Sequence, residues 1–214
     1  MTLSLRYDIA REAARHQLAL DDETGEALAR YVELLGRWGA RIRLTGESSP
    51  AVVIERHLAD VFAAAAALGP QVAAAAPRSI PAIDVGSGAG LPGVVLARVL
   101  AALEMHSVES RQRKASFQRS AAHELGVEVS VHAARLESLA GLDGRFALVM
   151  SRATFAPATW LERAQPLCAA AARVLVFCAA REDLPDAPAG YAEHEVHAYS
   201  LADGTPRVIG IYQK

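Results

Sequence analysis

The chain has little cysteine, almost no lysine and no excess of positive charge. Only Cys168 and Cys178 occur among its 214 residues, too few for a disulfide framework or a paired-cysteine zinc site. No metal site is expected, and a reducing cytoplasm fits. Lys114 and Lys214 are the only lysines among 22 basic residues, which stand against 24 acidic ones for a formal net charge of -2. Domains that hold nucleic acid by bulk electrostatics carry a clear basic excess, so any RNA contact here has to come from local arginine patches. No uncharged run is long enough to span a bilayer. Residues 1–20 carry Arg6, Arg11, Glu12 and Arg15 in place of the apolar core of a signal peptide.

What is abundant is alanine. The 52% hydrophobic content leans on runs such as Ala63–Ala67 and Ala73–Ala76, which favour helix but fill little core volume. The first third predicts helices near residues 3–18, 23–39 and 50–68. Ala27, Leu28, Tyr31, Leu34, Leu35 and Trp38 recur at intervals of three and four, giving one buried stripe. Ser49-Pro50 offers the third helix a capping hydroxyl and a proline at its first position.

From residue 80 short apolar runs alternate with amphipathic segments, the pattern of βαβ units around a mostly parallel sheet. Strands are predicted at 80–85, 105–109, 127–132, 146–150 and 174–177, with helices at 91–102, 111–125 and about 157–170. Two last apolar runs, 191–199 and 207–212, are separated by Asp203-Gly204, a hairpin signal. The tract Gly69–Pro77 reads as a joint. The expected organisation is a helical extension over 1–78 and an α/β core over 79–214, acting as one unit.

The strongest motif is Asp84-Val85-Gly86-Ser87-Gly88-Ala89-Gly90-Leu91-Pro92-Gly93, placed where the first strand ends and a helix begins. Glycines there let the backbone approach a ligand, and a helix N-terminus offers unpaired N–H groups. Glu109 falls at the end of the second strand, where an acidic side chain can accept hydrogen bonds from both ribose hydroxyls. Asp84, Gly86, Gly88, Gly90 and Glu109 are therefore candidate cofactor residues. Gly88-x-Gly90-x-x-Gly93 also satisfies the dinucleotide fingerprint, so an NAD-binding oxidoreductase is the competing reading. The Asp-x-Gly-x-Gly-x-Gly form favours S-adenosylmethionine, and no acid or base of a dehydrogenase substrate domain is evident.

At this point the chain resembles the RsmG (GidB) family, which methylates N7 of a guanine in bacterial 16S ribosomal RNA. The resemblance runs from Arg37-Trp38 and Leu44-Thr45 through Arg56-His57-Leu58-Ala59-Asp60 and the glycine loop with its Leu91-Pro92-Gly93 ending. It continues in Glu109-Ser110, His123-Glu124-Leu125, Arg135-Leu136-Glu137 and Ser151-Arg152-Ala153. It implies a Rossmann-like class I methyltransferase with a seven-stranded, mostly parallel sheet, helices on both faces and an N-terminal helical extension. It further implies that Gly86, Leu91, Leu136, Glu137 and Arg152 contact S-adenosylmethionine. Leu91 and Leu136 read equally well as core residues. Arg152 follows a strand at its carboxyl end, where open α/β sheets bind ligands, and could also serve as a plain salt bridge.

His57 and Asp60 sit three apart on a predicted helix and share a face. They line the cofactor mouth or orient Arg152, or else form a helix-surface ion pair or a capped interdomain contact. Guanine N7 keeps a lone pair in the ring plane and attacks without losing a proton, so no general base is expected and positioning carries the catalysis. No Asn/Asp-Pro-Pro-aromatic run of an exocyclic-amine methylase follows the fourth strand, and no Pro-Cys nucleophile is present.

Contact with small-subunit ribosomal RNA would fall to Arg37, Arg41 and Arg43, to Arg111, Arg113, Lys114 and Arg119, and to Arg207, through paired hydrogen bonds to phosphate. Each cluster also reads as a solvated helix face. The chain departs from the family pattern at Arg43, where asparagine is usual, at Cys178-Ala179 in place of Lys-Gly, and at Arg207, which lies out of register. A different RNA or a small molecule therefore stays open as substrate. A monomer is expected.

Overall fold

A computed structural model describes residues 2–39, 41–75 and 79–214. Three helical stretches come first: α1 (Thr2–Arg15), α2 (Asp22–Gly39), and a longer run made of α3 (Pro50–Val52), a π-helical segment (Val53–Leu58) and α4 (Ala59–Ala75). The apolar stripe of α2 is buried as its spacing requires: Leu28, Leu35 and Tyr31 have no solvent exposure. Burial of each such leucine contributes roughly 1.5–3 kcal/mol. Trp38 and Tyr31 meet Phe117 of α6 (Gln112–Leu125), with ring centroids 5.6 and 6.2 Å apart.

The third predicted helix differs from expectation in three ways. It runs on through Gly69 and Pro70 to Ala75, and it is interrupted by the π segment. Ser49 makes no side-chain cap; its hydroxyl donates to Glu47 Oε1 at 3.0 Å, leaving Pro50 as the only start signal in use. The proposed boundary at residue 78, with the end of the Gly69–Pro77 joint, lies outside the described residues.

The sheet has the order β3-β2-β1-β4-β5-β7-β6. Its strands are β1 (Ile80–Val85), β2 (Leu103–Val108), β3 (Val129–His132), β4 (Phe146–Ser151), β5 (Cys168–Cys178), β6 (Ala192–Ser200) and β7 (Pro206–Gln213). The first five are mutually parallel, and β7 enters antiparallel between β5 and β6. The β6–β7 turn closes through Leu201 N–H donating to Thr205 O at 2.9 Å, with Gly204 at φ +84, as Asp203-Gly204 signals.

Between strands lie α5 (Gly93–Val99), α6 and α7 (Pro157–Ala164). The helix expected over 91–102 is shorter because Leu91 and Pro92 still belong to the glycine loop. The strand expected over 174–177 begins at Cys168, so the helical stretch to residue 170 was too long: pairing with β4 and β7 overrides the helix preference of Ala169–Ala172.

The two faces of the sheet carry separate cores, as alternation along each strand demands. Ala82, Leu148, Met150 and Leu175 face the side covered by α1, α2, α4, α5 and α6. Ile83, Val85, Val149, Val174 and Val176 face Trp160 and Leu161 of α7. The N-terminal helices thus share one hydrophobic core with the sheet. The loops after β1 and β4, neighbouring strands whose connections leave in opposite directions, part at the carboxyl edge and open a cleft there.

Candidate active site

That cleft has a volume of about 650 Å³ and is walled by the loops after β1, β2, β3 and β4 together with Leu44–Gly46 and His57. The glycine loop is built from beneath. Asp84 is fully buried; its Oδ2 accepts from Ser87 Oγ at 2.6 Å and from Gly93 N–H at 2.9 Å. A β-carbon on Gly93 would lie 2.5 Å from Asp84 Cβ, so the loop closes only over glycine. Tyr31 Oη, from α2, donates to Ala89 O at 2.8 Å, and Gln118 Nε2 donates to Gly88 O at 2.9 Å. Two helices therefore hold the loop.

Asp84 and Gly90 are not among the residues of the cleft wall. Asp84 clasps the loop, and Gly90, at φ +77, turns it into α5, with Val94 against the place of a β-carbon. Burial pushes the Asp84 carboxyl up to about 6, against its hydrogen bonds from Ser87 and Gly93. A folded-state value above the ordinary 3.8 means that stability is fully present below that ordinary value and is lost as pH rises through about 6. Asp84→Asn is thus expected to gain about 3 kcal/mol on the wild type between roughly pH 4 and pH 7. Chemical denaturation across that range checks this, and a pH-independent difference contradicts it.

The remaining cofactor candidates line the cleft together. Gly86 has φ +76, and a β-carbon there would lie 2.2 Å from Thr154 Oγ1, whose hydroxyl donates to Gly86 O at 3.2 Å. Gly88 has φ +56 with only Lys114 Nζ and Gly86 O near, both at 3.9 Å, so its face stays open. Glu109 is buried; its Oε2 accepts from Gly88 N–H at 3.1 Å and its Oε1 from Arg111 N–H at 2.8 Å. A carboxylate has about four acceptor positions, which leaves two for a ligand. Leu91 is buried in the core and also forms part of the wall, and Leu136 and Glu137 occupy a single 3-10 turn. Glu137 pairs with Arg163, whose guanidinium lies 5.0 Å from the Phe155 ring centroid.

Arg152, His57 and Asp60 do come together. Arg152 Nη1 donates to Asp60 Oδ2 at 2.5 Å and to His57 Nδ1 at 3.3 Å. The ion pair is shielded, its side chains 17% and 14% exposed. Arg152 Nε and Nη2 make no hydrogen bond among the described residues and remain for a ligand. Burial, with the positive charge of Arg152, pushes His57 down to about 4, so the ring is neutral at pH 7. Its Nδ1 lone pair accepts from Arg152, which assigns the proton to Nε2. The next residue, Ala153, sits at φ +56, a left-handed conformation that costs about 1–3 kcal/mol and is found where a turn must aim neighbouring side chains. The π segment carrying His57 is likewise a deviation common at functional sites.

The basic candidates separate. Arg111 and Lys114 are on the cleft wall. Arg41 and Arg43 line a hollow of about 260 Å³ with Leu44, Thr45 and Gly46, which also border the cleft. Arg37 and Arg113 are exposed outside the cleft lining, and Arg119 donates to Val131 O at 3.2 Å. Arg207 Nη1 donates to the carbonyl of neighbouring Pro206 at 2.9 Å. Thr154, Tyr31, Gln118 and Phe155 were missed from the sequence, since each reaches the site through a contact with no local signal.

Residues 24–201 match the model of the GidB family, rRNA small subunit methyltransferase G. The chain belongs to this family. It is 35% identical over 198 residues to the Ribosomal RNA small subunit methyltransferase G of Halorhodospira halophila, covering 89% of this chain and 88% of that relative. The protein of the same name from Granulibacter bethesdensis is 42% identical over 115 residues, 54% of this chain, and the match spans only 50% of that relative's length. The solved structure of TrmI, a tRNA methyltransferase of Aquifex aeolicus, matches with TM-score 0.52 over 72% of this chain and 68% of that one at 13% identity. This last likeness shows the Rossmann-like class I methyltransferase fold. Membership in the GidB family sets aside the NAD reading left open by Gly88-x-Gly90-x-x-Gly93.

Of the departures from the GidB pattern, only Arg43 adjoins the cleft. Cys178 is buried at the end of β5, its thiol pushed up by burial and directed to Asp183 O at 3.5 Å. Among the described residues no cluster of three or more His, Cys, Asp or Glu is placed to hold a metal, and no helix is long and apolar enough to cross a membrane.

Proposed function

We propose that the protein transfers a methyl group from S-adenosylmethionine to N7 of a guanine in 16S ribosomal RNA, acting on the small ribosomal subunit in the cytoplasm. The observation that carries the reading is the convergence, in a GidB chain, of the glycine loop, Glu109, the Leu136-Glu137 turn and Arg152 on one cleft.

The residues present fit the cofactor. Gly88 leaves its face of the loop open, Glu109 keeps two acceptor positions for ribose hydroxyls, and Leu91 with Leu136 offers apolar surface for an adenine. Arg152 has donors free for an acidic or polar group. When bound, S-adenosylmethionine supplies a methyl group on a positively charged sulfur. The protein's part is to hold the two reactants in line and exclude water. Guanine N7 attacks with its own lone pair, and the positive charge passes from sulfur to base with no proton lost. His57 is consistent with this: its Nδ1 lone pair is engaged by Arg152 and is not a base.

RNA would lie across the mouth, where Arg41 and Arg43 adjoin Leu44–Gly46 and Arg111 and Lys114 stand on the cleft wall. Arg43→Ala is expected to raise the KM for 16S RNA about tenfold and to flatten the salt dependence of binding by about one phosphate contact, with cofactor affinity unchanged. Equal losses in both would remove Arg43 from recognition. The reading as a whole is tested by methyl transfer from labelled S-adenosylmethionine to purified small subunits lacking their N7-methylguanine and to large subunits, with incorporation expected in the small one alone.

A further inference from the structure

Tyr199 lies on β6, far in sequence from every motif, yet its hydroxyl donates to Asp60 Oδ1 at 2.6 Å. Asp60 thus commits one carboxylate oxygen to Tyr199 and the other to Arg152 Nη1. Burial and the adjacent Asp60 charge push the phenol upward, so it stays a donor throughout the physiological pH range.

Tyr199 is itself fixed. Its ring packs edge-on against His16, centroids 5.6 Å apart, and stacks with His197 at 6.3 Å, on the wall of a second cleft of about 690 Å³. It pairs with Arg207 in the β6–β7 ladder. The hairpin is anchored on the N-terminal helices by Arg56 to Asp203 at 3.3 Å and by Arg15 Nη2 donating to Leu201 O at 3.1 Å. Arg152, by contrast, stands at a strand end before a strained turn, and a long side chain there adopts one rotamer only if something holds it. A carboxylate on a helix with one partner can swing; with a donor on each oxygen it is clamped.

We infer that Tyr199 is a positioning residue for Arg152, acting through Asp60, and thereby sets cofactor affinity. This rests on the reading of Arg152 as a cofactor residue. None of the motifs quoted above includes Tyr199, and its hydroxyl reaches Asp60, the partner of Arg152 on the wall of the first cleft.

The test is a double-mutant comparison. Binding of labelled S-adenosylmethionine is measured by equilibrium dialysis for the wild type, Tyr199→Phe, Arg152→Ala and the double variant, with thermal midpoints as a check on folding. Tyr199→Phe is expected to weaken binding about tenfold, the effect of one hydrogen bond to a charged group, in the wild-type background and not in Arg152→Ala. An equal loss in both backgrounds would mean that the hydroxyl only supports the fold, which overturns the inference. So does wild-type affinity for Tyr199→Phe beside a weakened Arg152→Ala, and in that case the cofactor reading of Arg152 stands. Wild-type affinity for Arg152→Ala removes that reading and the inference with it. Asp60→Asn provides a second variant: its loss is expected to be at least that of Tyr199→Phe, and the two are expected not to add.

Discussion

Gly86→Asp is expected to abolish S-adenosylmethionine binding, with at least a hundredfold loss of affinity. The backbone at Gly86 is left-handed at φ +76, where any side chain is strained, and a β-carbon would meet Thr154 Oγ1 at 2.2 Å. Thr154 belongs to the same turn as Arg152, so relief of the clash displaces the residue assigned to the ligand. The added carboxylate also brings a further negative charge into a cleft that already holds Glu109 and Glu137. Isothermal titration checks the loss. Gly88→Ala serves as comparison: it shares the left-handed backbone strain at φ +56, but its β-carbon meets nothing closer than 3.9 Å, so it is expected to destabilise the fold less, by the backbone strain alone. Wild-type affinity in Gly86→Asp would refute the placement of the cofactor against this loop.

Arg152→Ala is expected to lower methyl transfer about a hundredfold and to destabilise the fold by about 3 kcal/mol. Removing one partner of a shielded ion pair leaves the other charge uncompensated, here Asp60, with His57 Nδ1 left without its donor. Arg152→Lys separates the two effects. An ammonium can satisfy Asp60, but it lacks the planar fork that reaches Asp60, His57 and a ligand at once. Stability is expected to recover in the lysine variant and methyl transfer is not. Full recovery of both, followed by unfolding midpoints and single-turnover rates, would reduce Arg152 to a structural ion pair.

The parts of the fold legible in the sequence are those whose signals are local. β1 was bounded correctly at 80–85 because an apolar run ends at Gly86, and the β6–β7 hairpin was marked by Asp203-Gly204. The α2 stripe was set by helical spacing. What escaped depends on partners distant in the chain. Ala169–Ala172 favours helix by itself and becomes strand only when β4 and β7 supply the ladder. The π segment has no signature in a run of good helix formers.

The candidate site divides in the same way. Glycine spacing marked the loop, and the βα order placed Glu109 at a strand end, beside it. Asp84 heads the motif as an acidic residue, and the structure shows its buried carboxylate held by Ser87 and Gly93, a partnership that glycine spacing alone does not reveal. Thr154 against Gly86, Tyr31 against Ala89 and Tyr199 against Asp60 join elements 58 to 139 residues apart, so their pairing exists only after the sheet and its helical layer have assembled.

The most direct test of the account is the position of the transferred methyl group. Small subunits lacking their N7-methylguanine, incubated with this protein and labelled S-adenosylmethionine, are expected to gain label on one guanine of 16S RNA. The N7-methylated base becomes cationic, so reduction and strand scission should cleave the RNA at that base. Label without such cleavage, or label on another atom or another RNA, would contradict the assignment of N7 as the acceptor.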